Sequence, residues 1–328
     1  MEKNGFEINI LQAQQGDCIH LRFWSKDTAG NFEVHNIVID SGPSANSYNF
    51  SELMSQIKAR KEYVDLMCFT HIDDDHIAAA EDFLGSHKDA GKLIKQIWIN
   101  IPQWEIENAV PLEPSLIHTT SVDTAMELYR YILWHKIPCK TQVLEGEKLF
   151  MGEVLIRAVL PTQHRIERYL NWWRKKRPPT SNVSLTAAGY DKSITNGSSI
   201  TLLIEGYGKK MLFSGDAFAS DLTKATKKWV SDGFDLVKLP HHGSKANISK
   251  RMLDTMKCRY FVISADGSGG RPAQEAIDLL GQYGARNEGI VLYGNYAWYG
   301  VKHTKGVSIK MLESNPKRIG DNIRIKTE

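Results

Sequence analysis

The run Thr70-His71-Ile72-Asp73-Asp74-Asp75-His76 follows directly on the apolar stretch Val64-Asp65-Leu66-Met67-Cys68-Phe69. It sets five side chains able to bind a metal within six residues, at what reads as the end of a buried strand, and Ile77-Ala78-Ala79-Ala80 then opens a helix. Carboxylates are seldom buried without a partner. Three consecutive aspartates between two histidines repel one another unless a divalent cation neutralises them, so a solvated acidic loop is the weaker reading. The fold must bring further ligands to this strand end.

The rest of the chain offers such ligands in matching places. Phe6-Glu7-Ile8-Asn9-Ile10-Leu11 and Cys18-Ile19-His20-Leu21-Arg22-Phe23 alternate apolar and polar about the turn Gln14-Gln15-Gly16-Asp17, and a third strand, Asn36 to Asp40, stops at Ser41-Gly42-Pro43. Helices are expected over 49–60, 77–87 and 122–136, and strands over 93–99, 141–145 and 153–160. The pattern of the first half then repeats: strands 199–205 and 210–213 lead to Ser214-Gly215-Asp216, and after a helix over 221–231 the strand 234–239 leads to Pro240-His241-His242-Gly243-Ser244. A further helix, strand and helix reach Gly284, and short strands over 289–293 and 306–312 close the pattern. Hairpins followed by strand and helix alternation, twice over, predict two mixed sheets packed together with helices outside, an α/β sandwich in one domain over 1–328. His71, Asp73, Asp75, His76, Asp216 and the pair His241-His242 are thus candidate metal ligands, since imidazole and carboxylate both suit zinc, manganese and iron.

Composition bounds the alternatives. With 42% hydrophobic and 24% charged residues the 328-residue chain reads as an ordinary soluble globular protein, and no apolar run reaches the length of a membrane span. The start Met1-Glu2-Lys3-Asn4-Gly5 lacks the features of a signal peptide, so a cytoplasmic location and no membrane partner are expected. Cysteines 18, 68, 139 and 258 have no paired short spacing, which argues against a thiolate zinc site or a disulfide framework. A formal net charge of +3 does not by itself imply nucleic acid.

At these residues the chain resembles the metallo-β-lactamase fold hydrolases, whose signature reads His-x-His-x-Asp-His, and within them the branch typified by the hydrolase domain of the DNA-uptake protein ComEC. The similarity rests on Gln15-Gly16-Asp17-Cys18, Val38-Ile39-Asp40-Ser41-Gly42, Thr70 to His76, Asn196-Gly197-Ser198-Ser199, Ser214-Gly215-Asp216 and Lys238-Leu239-Pro240-His241-His242-Gly243-Ser244, with Arg271-Pro272 where the branch usually has His-Pro. It spans about 6–312, with 163–195 least covered.

The resemblance implies an αββα sandwich and two divalent ions, zinc or manganese. His71, Asp73 and Asp216 would contact the first, and Asp75, His76, Asp216 and His242 the second, with Asp216 bridging. Two ions about 3.5–4 Å apart can hold a hydroxide and polarise a phosphoryl oxygen. Asp40 would orient a ligand histidine through a hydrogen bond. Asp75 and His241 are the candidate catalytic residues; His241 is read as a general acid on the substrate side, with a structural role in its loop as the alternative. Lys238 is expected to pair with a carboxylate of the cluster, either as core support or as a substrate contact, and Asn196 to lie beside the site. Two departures weaken the first ion's hold: Asp73 stands where most of the superfamily has histidine, which favours a harder ion, and the Asn196 motif supplies no histidine. His164 and His303 are weak candidates for the missing ligand, whereas His20, His35, His87, His118 and His135 read as packing or surface residues.

The segment 163–195 looks like an insertion. Arg165, Arg168, Arg174, Lys175, Lys176 and Arg177 stand against Glu167, with Tyr169, Trp172 and Trp173 interleaved. Arg174, Lys175, Lys176, Arg177, Trp172 and Trp173 are candidate contacts to single-stranded nucleic acid; an amphipathic helix with buried aromatics and a protein-partner surface are the alternatives. The expected activity is a phosphodiesterase or nuclease, the alternatives being a hydrolase of a small ester or cyclic nucleotide, or a non-catalytic sensor or assembly subunit. The sequence leaves DNA versus RNA and the oligomeric state open.

Overall fold

The computed structural model describes residues 5–26, 30–108, 120–176, 192–298, 300–302, 304–312 and 323–326. β1 (Gly5–Ile10), β2 (Ile19–Lys26) and β3 (Phe32–Ile39) run antiparallel, and β4 (Leu66–Cys68), β5 (Ile97–Trp98) and β6 (Cys139–Lys140) add to β3 in parallel. Parallel neighbours need crossovers. α1 (Ser47–Ala59) precedes β4, α2 (Asp74–Ser86) precedes β5, and α3 (Gln103–Asn108) and α4 (Ser121–Trp134) precede β6.

The second sheet repeats this plan. β7 (Lys148–Met151), β8 (Val154–Leu160), β9 (Thr201–Gly206) and β10 (Lys209–Phe213) are antiparallel, with α5 (Gln163–Lys176) and α6 (Lys192–Gly197) between β8 and β9. From β10 the sheet continues in parallel through β11 (Leu236–Lys238), β12 (Tyr260–Ile263), β13 (Ile290–Gly294) and β14 (Val307–Met311). α7 (Ala219–Trp229), α8 (Lys250–Met256) and α9 (Gln274–Arg286) make the crossovers, and β15 (Ile323–Lys326) returns to pair with β1.

Period-two alternation sorts the side chains into layers. Ile37, Ile39, Leu66 and Cys68 face Leu202, Met211, Phe213, Leu236 and Val262 between the two sheets. Their neighbours Val38, Met67 and Phe69 pack outward against α1, α2 and α4. Val237, Leu239, Phe261 and Ile263 do the same against α7, α8 and α9. The result is the αββα sandwich. β3 and β4 run parallel in the first sheet and β10, β11 and β12 in the second, and at their carboxyl ends Asp40, His71, Asp216, His241 and Ser264 emerge.

Three sequence expectations are corrected. No strand forms over 141–145, because the Asn100 side chain takes the place of a ladder partner: its Oδ1 accepts from the Val143 amide at 2.7 Å and its Nδ2 donates to the Val143 carbonyl at 3.1 Å. The helix expected from 77 begins at Asp74, so two of the acidic residues lie in its first turn. Finally, the start of the expected insertion is part of the core. Tyr169, Trp172 and Trp173 are buried against the first sheet's helices, with the Tyr169 hydroxyl donating to the Asn100 carbonyl at 3.0 Å and Trp173 Nε1 to Glu105 at 3.1 Å. Trp172 and Trp173 therefore offer no free ring face on which a base can stack.

Candidate metal centre

Asp73 sits at the N-cap of α2, yet its side chain accepts no bond from that helix and lies instead 3.7 Å from His71 Nε2. Asp74 turns outward, toward Ser121 and Thr124 of α4. Asp75 and His76, in the same first turn, point the other way, toward Asp216 and His242 of the second sheet's loops. Carboxylates in this first turn also match the positive end of the helix dipole.

Asp216 stands at the centre. Its Oδ1 lies 3.7 Å from Nε2 of both His76 and His242, and its Oδ2 lies 3.9 Å from His71 Nε2 and 3.6 Å from His241 Nε2. Asp75 Oδ2 is 3.7 Å from His242 Nε2 and 4.0 Å from His76 Nε2, and it is the part of this group most open to solvent. Nε2 of His71, His76 and His242, with Asp216 Oδ1 and Asp73 Oδ1, are buried and have no hydrogen-bond partner among the described residues.

The opposite ring nitrogens explain this arrangement. His76 Nδ1 lies 2.8 Å from Asp40 Oδ2 and His242 Nδ1 lies 3.0 Å from the Ser264 carbonyl, and both partners can only accept. Thr70 Oγ1 gives its one proton to Asp40 Oδ2 at 2.8 Å, so at 3.0 Å it accepts from His71 Nδ1. In each ring the proton sits on Nδ1, and a bare Nε2 lone pair points at carboxylate oxygen. Acceptors facing acceptors at these distances are too far apart for hydrogen bonds. Two donors bound at 2.0–2.2 Å to one cation at angles near 109–120° would stand about 3.3–3.8 Å apart. The donor set therefore fits divalent ions, and His71, His76 and Asp216 form one group with ligand atoms within 4.8 Å of one another, Asp75, His76 and His242 another. A third such group, Asp17, Asp40 and His76, uses the Nδ1 side that the Asp40 hydrogen bond already occupies.

Electrostatics agree. Burial acts to raise the Asp216 carboxyl, but His242, His241, His76 and His71 outweigh it and hold it well below the usual carboxylate range. Burial acts to lower His76, and Asp40, Asp216 and Asp75 instead lift it well above the usual imidazole value. A proton on Nε2 is thus the natural competitor of an ion here.

Asp40 is fully buried at the end of β3, at φ +56, and its Oδ1 also accepts from the Thr70 amide at 2.7 Å. His241 and His242 take φ +50 and +56 in succession. Left-handed backbone costs non-glycine residues about 1 kcal/mol or more each, and it persists where surrounding contacts impose it. Here it turns adjacent histidines onto the two oxygens of one carboxylate.

Lys238 does not reach the histidine cluster. Fully buried, it pairs with Asp17 in the turn between β1 and β2, and Asp17 Oδ1 lies 3.5 Å from His242 Nδ1. Burial acts to raise the Asp17 carboxyl, and Lys238 with His242 reverses that. Asp17 was not among the expected site residues; the signal for it is the adjacent Gly16, where a β-carbon would collide with the Asp75 carbonyl oxygen. Asn247 was likewise not foreseen: its Oδ1 lies 3.0 Å from His241 Nδ1. Asn196 ends α6 with Nδ2 3.4 Å from that same nitrogen. His164 is exposed on α5 and joins none of these groups, while His303, His118 and Arg177 lie outside the described residues. Arg174 stacks on Trp104, 4.4 Å from its ring centre, and Lys175 is exposed.

No curated protein matches the chain by sequence. Among solved structures, it resembles CmlA, a diiron beta-hydroxylase from Streptomyces venezuelae, at 14% identity and TM-score 0.45 over 89% of this chain and 53% of that one. The metallo-beta-lactamase fold protein YhfI from Bacillus subtilis is similar at 12% identity and TM-score 0.41, over 98% of this chain and 100% of that one. A long form RNase Z from yeast is similar at 10% identity and TM-score 0.45, over 99% of this chain and 42% of that one. The chain spans about half the length of the first structures it matches, 52% and 53%. Residues 33–265 match the metallo-beta-lactamase superfamily, a span that takes in Asp40, the Thr70 to His76 run, Asp216 and both adjacent histidines. With its αββα sandwich and its converging histidines and aspartates, the chain belongs to the metallo-beta-lactamase superfamily.

Proposed function

We propose that the protein is a phosphodiesterase acting on a nucleic acid or nucleotide in the manner of the ComEC branch, one domain working in the cytoplasm with its four thiols reduced. The observation that carries this reading is Arg271. It lines a cavity of about 590 Å³ with Ser244, Lys245, Gln274, Glu275 and Trp298, directly beside the His241–Ser244 loop; the Glu275 carboxylate pairs with Lys245 at 3.0 Å, and among the described residues none pairs with Arg271. Pro272 packs against Gly243, which fixes that cavity next to the metal centre. A free guanidinium there suits a phosphate flanking the scissile bond.

Two divalent ions in such a centre supply a nucleophile from water at neutral pH and polarise the phosphoryl oxygens. The carboxylates of Asp73, Asp75 and Asp216 favour hard ions, manganese among them. Asp40, Thr70 and Ser264 hold the rings of His76, His71 and His242 in one tautomer. Arg271 orients the substrate. His241, with its proton on Nδ1 toward Asn247, presents no proton to a leaving group, which therefore draws it from solvent.

A second reading, a small phosphate ester or cyclic nucleotide as substrate, is favoured by the burial of Trp172 and Trp173, which removes the stacking surface expected for a polymer. Purified protein with manganese is expected to cleave bis(p-nitrophenyl) phosphate, and D75A/H76A to abolish the cleavage. Full activity in that double variant would identify a contaminant and remove the assignment. Comparison of single-stranded DNA with cyclic nucleotides then separates the two readings.

A further inference from the structure

We infer that His241 is a ligand of the first ion, filling the place that the histidine-free Asn196 motif leaves open. The inference rests on the metal centre and not on the identity of the substrate.

The orientation of one amide fixes it. Asn247 Nδ2 donates to the carbonyls of Asp216 at 3.1 Å and Ala217 at 3.3 Å, acceptors that leave no doubt which end of the amide is nitrogen. Its Oδ1 therefore faces His241 Nδ1 at 3.0 Å and accepts the ring proton. The contact from Asn196 Nδ2 to the same nitrogen, at 3.4 Å, is the longer one. His241 thus has the tautomer of the other three rings, with a lone pair on Nε2.

That lone pair points at Asp216 Oδ2, 3.6 Å away. His71 Nε2 approaches the same oxygen at 3.9 Å and Asp73 Oδ2 at 3.7 Å. These are spacings of donors around a shared cation rather than of hydrogen bonds. His76 and His242 gather on the other oxygen, with Asp75 Oδ2 3.7 Å from His242 Nε2, so the two adjacent histidines divide between the two ions. Their consecutive left-handed backbone is what permits it: the rings stand 80° apart with centres 5.9 Å apart. A ligating histidine donates its outer N–H to a fixed acceptor, most often a carboxylate, carbonyl or water, and here the Asn247 amide oxygen is that acceptor. Asn247 is accordingly the positioning residue for His241.

The test is metal stoichiometry. Wild-type protein loaded with manganese and desalted is expected to retain two ions per chain by elemental analysis, and His241→Gly one, with added imidazole restoring the second. Two ions held with unchanged affinity in His241→Gly would overturn the assignment. Should that variant fail to fold, the cobalt-loaded wild type decides. Four exchangeable, paramagnetically shifted imidazole N–H signals are expected, one each from His71, His76, His241 and His242; three would refute it. Either readout is independent of catalysis, so failure of the phosphodiesterase reading leaves it standing.

Discussion

Asp40 Oδ2 lies 2.8 Å from His76 Nδ1, and the same carboxylate takes the Thr70 amide and hydroxyl. One buried acid thereby sets the tautomer of two rings, His76 directly and His71 through Thr70. In Asp40→Asn an NH2 group replaces one acceptor, so one of these partners loses its bond. Metal affinity is expected to fall about 10- to 100-fold. Chelator competition on wild type and variant measures it; equal affinities would show that Asp40 is only a structural acid.

The Lys238–Asp17 pair makes a different demand. Both groups are buried, and the turn between β1 and β2 is joined through them to the end of β11. Removing one partner leaves a charge with no compensation, a loss of about 3–5 kcal/mol, whereas replacing both by apolar groups is far less costly. Lys238→Met is expected to unfold at much lower urea concentration than wild type, and D17L/K238M to recover much of the difference. Both measurements are made with chelator present, so that stabilisation by bound metal does not enter.

Much of this was legible in the sequence because strand ends announce themselves. Asp40, His71, Asp216 and His241 each follow an apolar run cut short by glycine or proline or by charge. The two halves repeat one plan, and that alone predicts the sandwich. Partners across the fold were not legible. Asp17 and Lys238 are 221 positions apart, and Asn247 and Asn100 are neutral amides in ordinary loops, whose roles appear only when a ring nitrogen or an unpaired strand amide is set against them. The charge and aromatic pattern of α5 is equally that of a surface helix and of a core one. Only the position of Asn100 and Glu105 decides between them.

His20 gives a pH dependence independent of the metal centre. It is fully buried between Asn9 and Asn36, and Asn36 Nδ2 bonds Glu62 and the Tyr63 carbonyl, so its Oδ1 accepts from His20 Nε2 at 2.9 Å. Burial pushes this imidazole from its ordinary 6.5 to about 4. The folded state then binds fewer protons than the unfolded one between those values. The stability it contributes is intact above about pH 6.5 and is lost as pH falls toward 4, by up to about 3 kcal/mol. In His20→Gln the fall in unfolding free energy over that interval is expected to be shallower by about one proton, again with chelator present. Parallel curves for the two proteins would remove His20 from the account.

The last expectation concerns α5. Trp173 is completely buried, donates to Glu105, and packs edge-on against Tyr169 with ring centres 5.6 Å apart. Its truncation to alanine opens a cavity in the first sheet's outer core, and the loss is expected to be about 3–5 kcal/mol. A base-stacking tryptophan behaves in the opposite way: its loss costs about 1–3 kcal/mol of nucleic-acid binding per base and leaves stability nearly untouched. Thermal unfolding and oligonucleotide titration of Trp173→Ala, the latter at a temperature where the variant is folded, separate the two. A large fall in Tm with unchanged oligonucleotide affinity is expected. Unchanged Tm with a Kd raised tenfold or more would restore α5 as a nucleic-acid surface, and would place the polymer ahead of the small ester as substrate.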